Sequence, residues 1–137
     1  MQVRDLMQRD VVTLEDTAEI DVADGLMRMD RIRHLPVLSH GRLVGIVSQR
    51  DLFRAGVEAA IGRGGDATAV PRPLRLRDMM TTEVVTAHPD ADLGSAVEMM
   101  LQQRIGCLPV VENDRLVGLL GETDCLRQLA RLLAPQA

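Results

Sequence analysis

The sequence contains no lysine, no tryptophan and no tyrosine, and its only phenylalanine is Phe53, in a chain of 137 residues. Without aromatic side chains there are no platforms on which the bases of a single-stranded nucleic acid could stack. Without lysine, no catalytic step can depend on an amine side chain. All sixteen basic residues are arginine. Genomic codon bias accounts for that uniformity, and any basic group in a pocket is then a planar fork suited to phosphate. Cysteine is scarce too: Cys107 and Cys125 stand apart from any C-x-x-C arrangement, as expected of a reduced, intracellular protein. No apolar run approaches the ~20 residues of a membrane helix. The opening residues MQVRDLMQRD are charged throughout, unlike a signal peptide. A cytoplasmic location is expected. The net charge of −4 and pI near 5.3 disfavour nucleic acid and anionic membranes as partners.

What is present is ordinary for a globular chain: 46% hydrophobic and 26% charged residues. The core must be aliphatic, drawn from Val, Leu, Ile, Ala and eight Met. The chain also repeats itself. HLPVLSHGRLVGIVSQRD, His34 to Asp51, aligns without a gap on CLPVVENDRLVGLLGETD, Cys107 to Asp124, 73 positions later. The same offset matches RDLM at 4–7 with RDMM at 77–80, VVT at 11–13 with VVT at 84–86, and Arg31-Ile32 with Arg104-Ile105. Two copies of roughly 50 residues make a paired module, not a solenoid. The expected organisation is a first repeat over 1–61, a Gly- and Pro-rich linker over 62–75, and a second repeat over 76–137.

Residues 3–8 read as a short helical turn with Leu6 and Met7 inward. Val11 to Leu14 suit a short buried strand. Asp16-Thr17 read as a helix start, with Ile20, Ala23 and Met27 at helical spacing and an end near 30–33. Pro36 lies in the apolar run 35–38, a position that fits the start or edge of a strand. Ser39 to Arg42 form a turn, 43–48 the second strand of a hairpin, and Gly45 allows close backbone approach. From Gln49 the chain turns helical, with Leu52, Phe53, Val57 and Ile61 on one face. The second copy repeats this: turn 76–80, strand 84–87, a helix 90–103 opened by Pro89 and Asp90, strand 108–111, turn 112–114, strand 116–120, and a helix 123–133 striped by Leu126, Leu129, Leu132 and Leu133. Each copy is small for a closed core. Two copies packed about a pseudo-two-fold axis would leave two equivalent clefts, and clefts between units are preferred ligand sites. Met27 with Met29, and Met99 with Met100, cannot all face one core, so part of the methionine serves another surface. The histidines, His34, His40 and His88, have no metal-ligand spacing, and the cysteines complete no zinc set. Cys107 has no histidine near it in the sequence to make it a nucleophile.

With its V-V-T strands, paired L-P-V runs, Gly-containing hairpins and in-register Asp51 and Asp124, the sequence resembles a CBS domain pair, the cystathionine-β-synthase-type regulatory (Bateman) module, over roughly 4–54 and 77–128. The resemblance implies an α+β fold of tandem β-α-β-β-α repeats. It implies regulatory binding of an adenosine-containing ligand (AMP, ADP, ATP or S-adenosylmethionine) with no obligatory cofactor. It also implies a non-catalytic module of the kind that regulates an attached enzyme or transporter and commonly forms a homodimer; this chain reads as a free-standing pair, so its expected target is a separate protein or a partner reached through dimerisation.

The residues expected to carry binding follow from that resemblance. In the first copy they are Ser48, Arg50 and Asp51. The carboxylate can take both ribose hydroxyls, and the hydroxyl, the guanidinium and the helix-start N–H groups can receive phosphate. Thr13 and Leu14 would border adenine, Arg33 and His34 would face base or phosphate, and Pro36 and Ile46 complete the set. In the second copy the equivalents are Thr86, Ala87, Gly106, Cys107, Pro109, Leu119, Thr123 and Asp124. There Gly121 replaces Ser48 and Glu122 adds negative charge, which puts the competence of one cleft in question. The alternative is a structural dimerisation or adaptor protein with vestigial clefts. An enzyme is left without support, since no acid–base pair, nucleophile constellation, metal set or P-loop is present.

Overall fold

The computed structural model describes residues 1–63 and 74–135. Most of the linker expected over 62–75 therefore lies outside the described residues. The elements are β1 (Leu14–Glu15), α1 (Ile20–Asp30), β2 (His34–Ser39), β3 (Arg42–Ser48), α2 (Gln49–Arg63), α3 (Leu93–Gln103), β4 (Cys107–Glu112), β5 (Arg115–Gly121) and α4 (Glu122–Leu133). Two short 3-10 turns, Val3–Asp5 and Leu76–Asp78, open the repeats. The fold is mixed α and β, in tandem β-α-β-β-α repeats. β1 runs parallel to β2, and β2 pairs antiparallel with β3. β4 and β5 form the second hairpin, and its first strand is reduced to a single parallel bridge, Ala87 to Val110.

The chain divides into two compact units, one of Met1–Val11 with Val85–Ala137 and one of Val12–Val84. The opening turn of each repeat thus completes the unit built on the other repeat. In the Val12–Val84 unit, Ala23, Met27, Leu35, Val37, Val47, Leu52 and Leu76 form the core. In the other, Val3, Met7, Ala96, Met100, Leu108, Val110 and Leu120 do so. These are largely the same positions of the repeat. Gly45 and Gly118 are what let the opening segments in. A Cβ on Gly45 would lie 2.4 Å from Met80 Sδ, and one on Gly118 would lie 2.6 Å from Met7 Sδ and 2.9 Å from the Gln8 carbonyl.

The helices start later than Asp16-Thr17 and Pro89-Asp90 suggest. The backbone before α1 is engaged elsewhere: Leu76 N–H donates to the Ala18 carbonyl at 2.9 Å, Arg77 N–H to Asp16 at 3.0 Å, and Ile20 N–H to Leu74 at 3.0 Å. Before α3, Arg4 N–H donates to Pro89 at 2.8 Å, Val3 N–H to Ala91 at 2.9 Å, and Leu93 N–H to Met1 at 2.9 Å. Long-range pairing wins over local helix propensity because it satisfies donors the first helical turn leaves open. Asp92 then caps α3, accepting the Ser95 N–H at 3.0 Å and the Ser95 hydroxyl at 3.1 Å.

Pro36 corrects a second expectation, since it is the third residue of β2, the central strand of its sheet; Pro109 is likewise third in β4, one of the two strands of its sheet. Their register partners are Ile46 and Leu119. Those partners direct both backbone groups to Thr81 and Gln8, at 2.9–3.0 Å. The ladder asks no N–H of the proline, so its usual exclusion from strand interiors is lifted. Both hairpins close in two-residue loops with positive φ at both positions: 51° at His40 and 81° at Gly41, then 51° at Asn113 and 62° at Asp114. This is the type I′ geometry that matches strand twist.

The apolar residues grouped on α2 and α4 are largely exposed. Leu52 is buried, but Phe53 and Ile61 are each 74% exposed. Leu126, Leu129, Leu132 and Leu133 are all exposed as well.

Candidate functional site

The site begins where each hairpin runs into its second helix. In the first repeat, His34 opposes Ser48 at the open end of the β2–β3 ladder, and the Arg33 carbonyl accepts the N–H of Gln49, the first residue of α2, at 2.9 Å. Ser48 and Asp51 cap the helix reciprocally. The Ser48 N–H donates to Asp51 Oδ2 at 2.9 Å, and the Asp51 N–H donates to Ser48 Oγ at 3.1 Å. The Asp51 side chain is therefore a helix cap. Its second oxygen, Oδ1, accepts no hydrogen bond among the described residues, and the residue is half-buried. Arg33 and Arg50 are exposed at this corner, and among the described residues no carboxylate forms an ion pair with either. Pro36 and Ile46 face one another within the ladder. Pro36 is fully buried, so it contributes register rather than surface. Thr13 and Leu14 lie on the other side of β2, where Leu14 pairs with Val37. The fold thus gathers Arg33, His34, Ser48, Arg50 and Asp51 at one corner and sets Thr13 and Leu14 across the strand from β3.

The second repeat reproduces the frame with different chemistry. Cys107 opposes Gly121, and the Gly106 carbonyl accepts the Glu122 N–H at 3.0 Å. The Gly121 N–H donates to Asp124 Oδ2 at 2.9 Å. Here the other oxygen is taken as well: the Gln8 side-chain amide donates to Asp124 Oδ1 at 3.0 Å. Asp124 is 6% exposed, the one charged residue among the described residues that is buried. Thr123 is exposed, Leu119 half-buried and Pro109 fully buried. Ala87 bridges to Val110 on the far side of β4, with Thr86 exposed beside it. Burial, with the Asp124 charge close by, pushes the Cys107 thiol up to about 12. It is held as the neutral thiol at any ordinary pH, which removes it as a nucleophile.

Two features were not legible in sequence. Gln8 aligns with Thr81, which gives no hint that its amide reaches a carboxylate 116 positions away. His88, Asp90 and Glu112 place one possible ligand atom each within 4.8 Å of one another. His88 Nδ1 accepts the Asp90 N–H at 3.0 Å, and Arg4 forms an ion pair with Asp90. This exposed cluster ties the opening segment to its unit by charge.

The CBS domain family model matches residues 3–58 and 76–131. Among solved structures, a protein named for acetoin utilization (AcuB) from Vibrio cholerae is 36% identical, with a TM-score of 0.78, covering 97% of this chain and 93% of that one. The CBS domain pair of protein MJ0100, solved in complex with 5′-methylthioadenosine and S-adenosyl-L-methionine, is 25% identical, with a TM-score of 0.80, covering 96% and 98%. The homoserine O-acetyltransferase of Methanococcoides burtonii is 34% identical over 127 residues, and this chain spans 91% of its own length but 23% of that enzyme's. No helix among the described residues is long and apolar enough to cross a membrane.

Proposed function

The chain belongs to the CBS domain family, and we propose that it is a regulatory, non-catalytic sensor that binds an adenosine-containing ligand at the corner of Ser48, Arg50 and Asp51. The observation that carries this reading is Asp51: one oxygen fixes the helix start and the other is left for a partner. A carboxylate so oriented can accept ribose hydroxyls. The α2 N-terminus, Ser48, Arg50 and Arg33 supply donors for phosphate. Thr13, Leu14 and His34 would border the base. The Asp124 corner, with Thr86, Ala87, Gly106, Cys107, Leu119 and Thr123, is the second candidate. The bound adenosyl compounds of the MJ0100 pair support the ligand class. AMP, ADP, ATP and S-adenosylmethionine are the ligands to test, and a sensor of this kind would pass its signal to a target protein.

The test is calorimetric melting of the purified protein with and without each compound. Ligand at a hundred times its dissociation constant should add about 2.7 kcal/mol, several degrees for a domain this size. Asp51→Asn should remove the shift given by AMP, ADP and ATP. A melting point that ignores every adenosyl compound would instead favour the adaptor reading.

That second reading has an observation of its own. Phe53, Ile61, Leu126, Leu132 and Leu133 are exposed on α2 and α4, and apolar area of this kind is covered in association. A homodimer is expected, and sedimentation velocity checks it: Leu132→Glu with Leu133→Glu should shift the species toward monomer, while an unchanged sedimentation coefficient would remove these helices from the interface.

A further inference from the structure

The two corners share one backbone frame and carry opposite charge. Each has a hairpin ladder closing into a helix start, a strand-entry carbonyl accepting the first helical N–H at 2.9 or 3.0 Å, and an aspartate oxygen accepting the cap N–H at 2.9 Å. A ligand seated on this frame therefore meets equivalent backbone in both. The side chains differ. The first frame carries Arg33 at the strand entry and Arg50 in the first turn of α2 beside Asp51, with Ser48 as a hydroxyl. At the equivalent positions stand Gly106, Thr123 and Gly121, and Gln49 is replaced by Glu122. Two arginines against one aspartate leave the first corner formally at +1 with His34 neutral, and two carboxylates leave the second at −2.

The Glu122 carboxylate is also positioned. Its Oε1 sits 2.6 Å from where a Cβ on Gly106 would be, so it lies over the strand entry that Arg33 occupies in the first repeat. Gln8 and Gly121 hold both oxygens of Asp124 in place. A phosphate brought to the second corner would meet a carboxylate where the first corner offers guanidinium, with no arginine at the equivalent positions to offset it.

We infer that the two corners select ligands by charge: the Asp51 corner takes a phosphorylated adenosyl compound, and the Asp124 corner takes an adenosyl compound whose 5′ substituent carries no phosphate. This rests on the adenosyl reading above and divides it between the sites. Glu122 is the specificity-determining residue at the second corner. Its carboxylate repels phosphate and tolerates a neutral thioether or attracts a sulfonium cation.

Isothermal titration of the full chain tests this with AMP, 5′-methylthioadenosine and S-adenosylmethionine as probes. Wild type should take one AMP per chain, and Asp51→Asn should abolish that event while leaving 5′-methylthioadenosine bound. Glu122→Gln, an exposed and isosteric change, should tighten a second AMP event by about fivefold or more, the scale of one unit charge a few ångströms away in a water-like dielectric. It should leave 5′-methylthioadenosine unchanged. A parallel loss of S-adenosylmethionine affinity in Glu122→Gln identifies the sulfonium as the feature recognised, and unchanged affinity identifies the neutral adenosyl group. Two equivalent AMP sites in wild type, or AMP binding indifferent to Glu122→Gln, would overturn the charge division while leaving the adenosyl reading intact. Wild type that binds none of the probes would overturn the adenosyl reading itself.

Discussion

Asp51 and Asp124 show how one residue type in one backbone role acquires two characters. Both cap a helix, and the difference lies in the second oxygen, which in Asp51 has no partner among the described residues and in Asp124 is bonded to Gln8. Gln8→Ala should therefore free Asp124 Oδ1 without touching the Asp51 corner. The measurable result is a change confined to whichever calorimetric event Asp51→Asn leaves behind. Cys107 supplies a pH test. Burial pushes its thiol up to about 12, from an ordinary value of 9.0. A raised thiol pKa contributes stability that is fully present below pH 9 and is lost as pH rises toward 12, because the unfolded chain releases its proton first. Denaturant midpoints should fall across that window in wild type more than in Cys107→Ser. Native Cys107 should also resist alkylation at neutral pH and react promptly in denaturant.

At the scale of elements, the apolar pattern of the strands and first helices foretold the core. Ala23, Met27, Leu35 and Val37, like Ala96, Met100, Leu108 and Val110, sit at the spacings that place them inside. Met29, 83% exposed beside buried Met27, bears out the reading that the methionines cannot share one face. The stripes of α2 and α4 were equally legible, but periodicity gives a helix an apolar face without saying what covers it. The glycines of β3 and β5 yield a sharper prediction. Gly118→Ala would press a methyl group onto the Gln8 backbone and the Met7 thioether, an overpacking that should cost about 1–3 kcal/mol in urea denaturation. Leu108→Ala, in the same unit, should cost about 2–5 kcal/mol by opening a cavity.

For the whole molecule, the consequential feature is that the opening segments are exchanged. Val3 is fully buried in the unit that holds residues 85–135, far along the chain. Val3→Ala should therefore cost about 2 kcal/mol, and its effect should surface as faster amide exchange in β4 and β5 rather than in the sequence-adjacent β2. Exchange that instead quickens in β2 and β3 would contradict the exchange of segments. Such a connection also lengthens the loops that must close during folding, since Val3 must find Leu108 and Val110.

The sequence by itself determined the repeat, its register, the hairpin turns, most of the core and the aspartate at each helix start. Each of these is fixed by local periodicity or by a residue whose backbone preference is its own. Only the tertiary structure decided which opening turn serves which repeat, because Val3 and Leu76 are interchangeable apolar residues in matching patterns. It also decided that the helices begin at Ile20 and Leu93, since the preceding N–H and carbonyl groups find long-range partners that no local rule can name. Pro36 and Pro109 became tolerable in mid-strand for the same reason: their opposite residues were already bonded elsewhere. Gln8 reaching Asp124, and Glu122 resting on Gly106, depend on side chains from separated segments meeting in space, and that meeting makes two equal motifs into unequal sites.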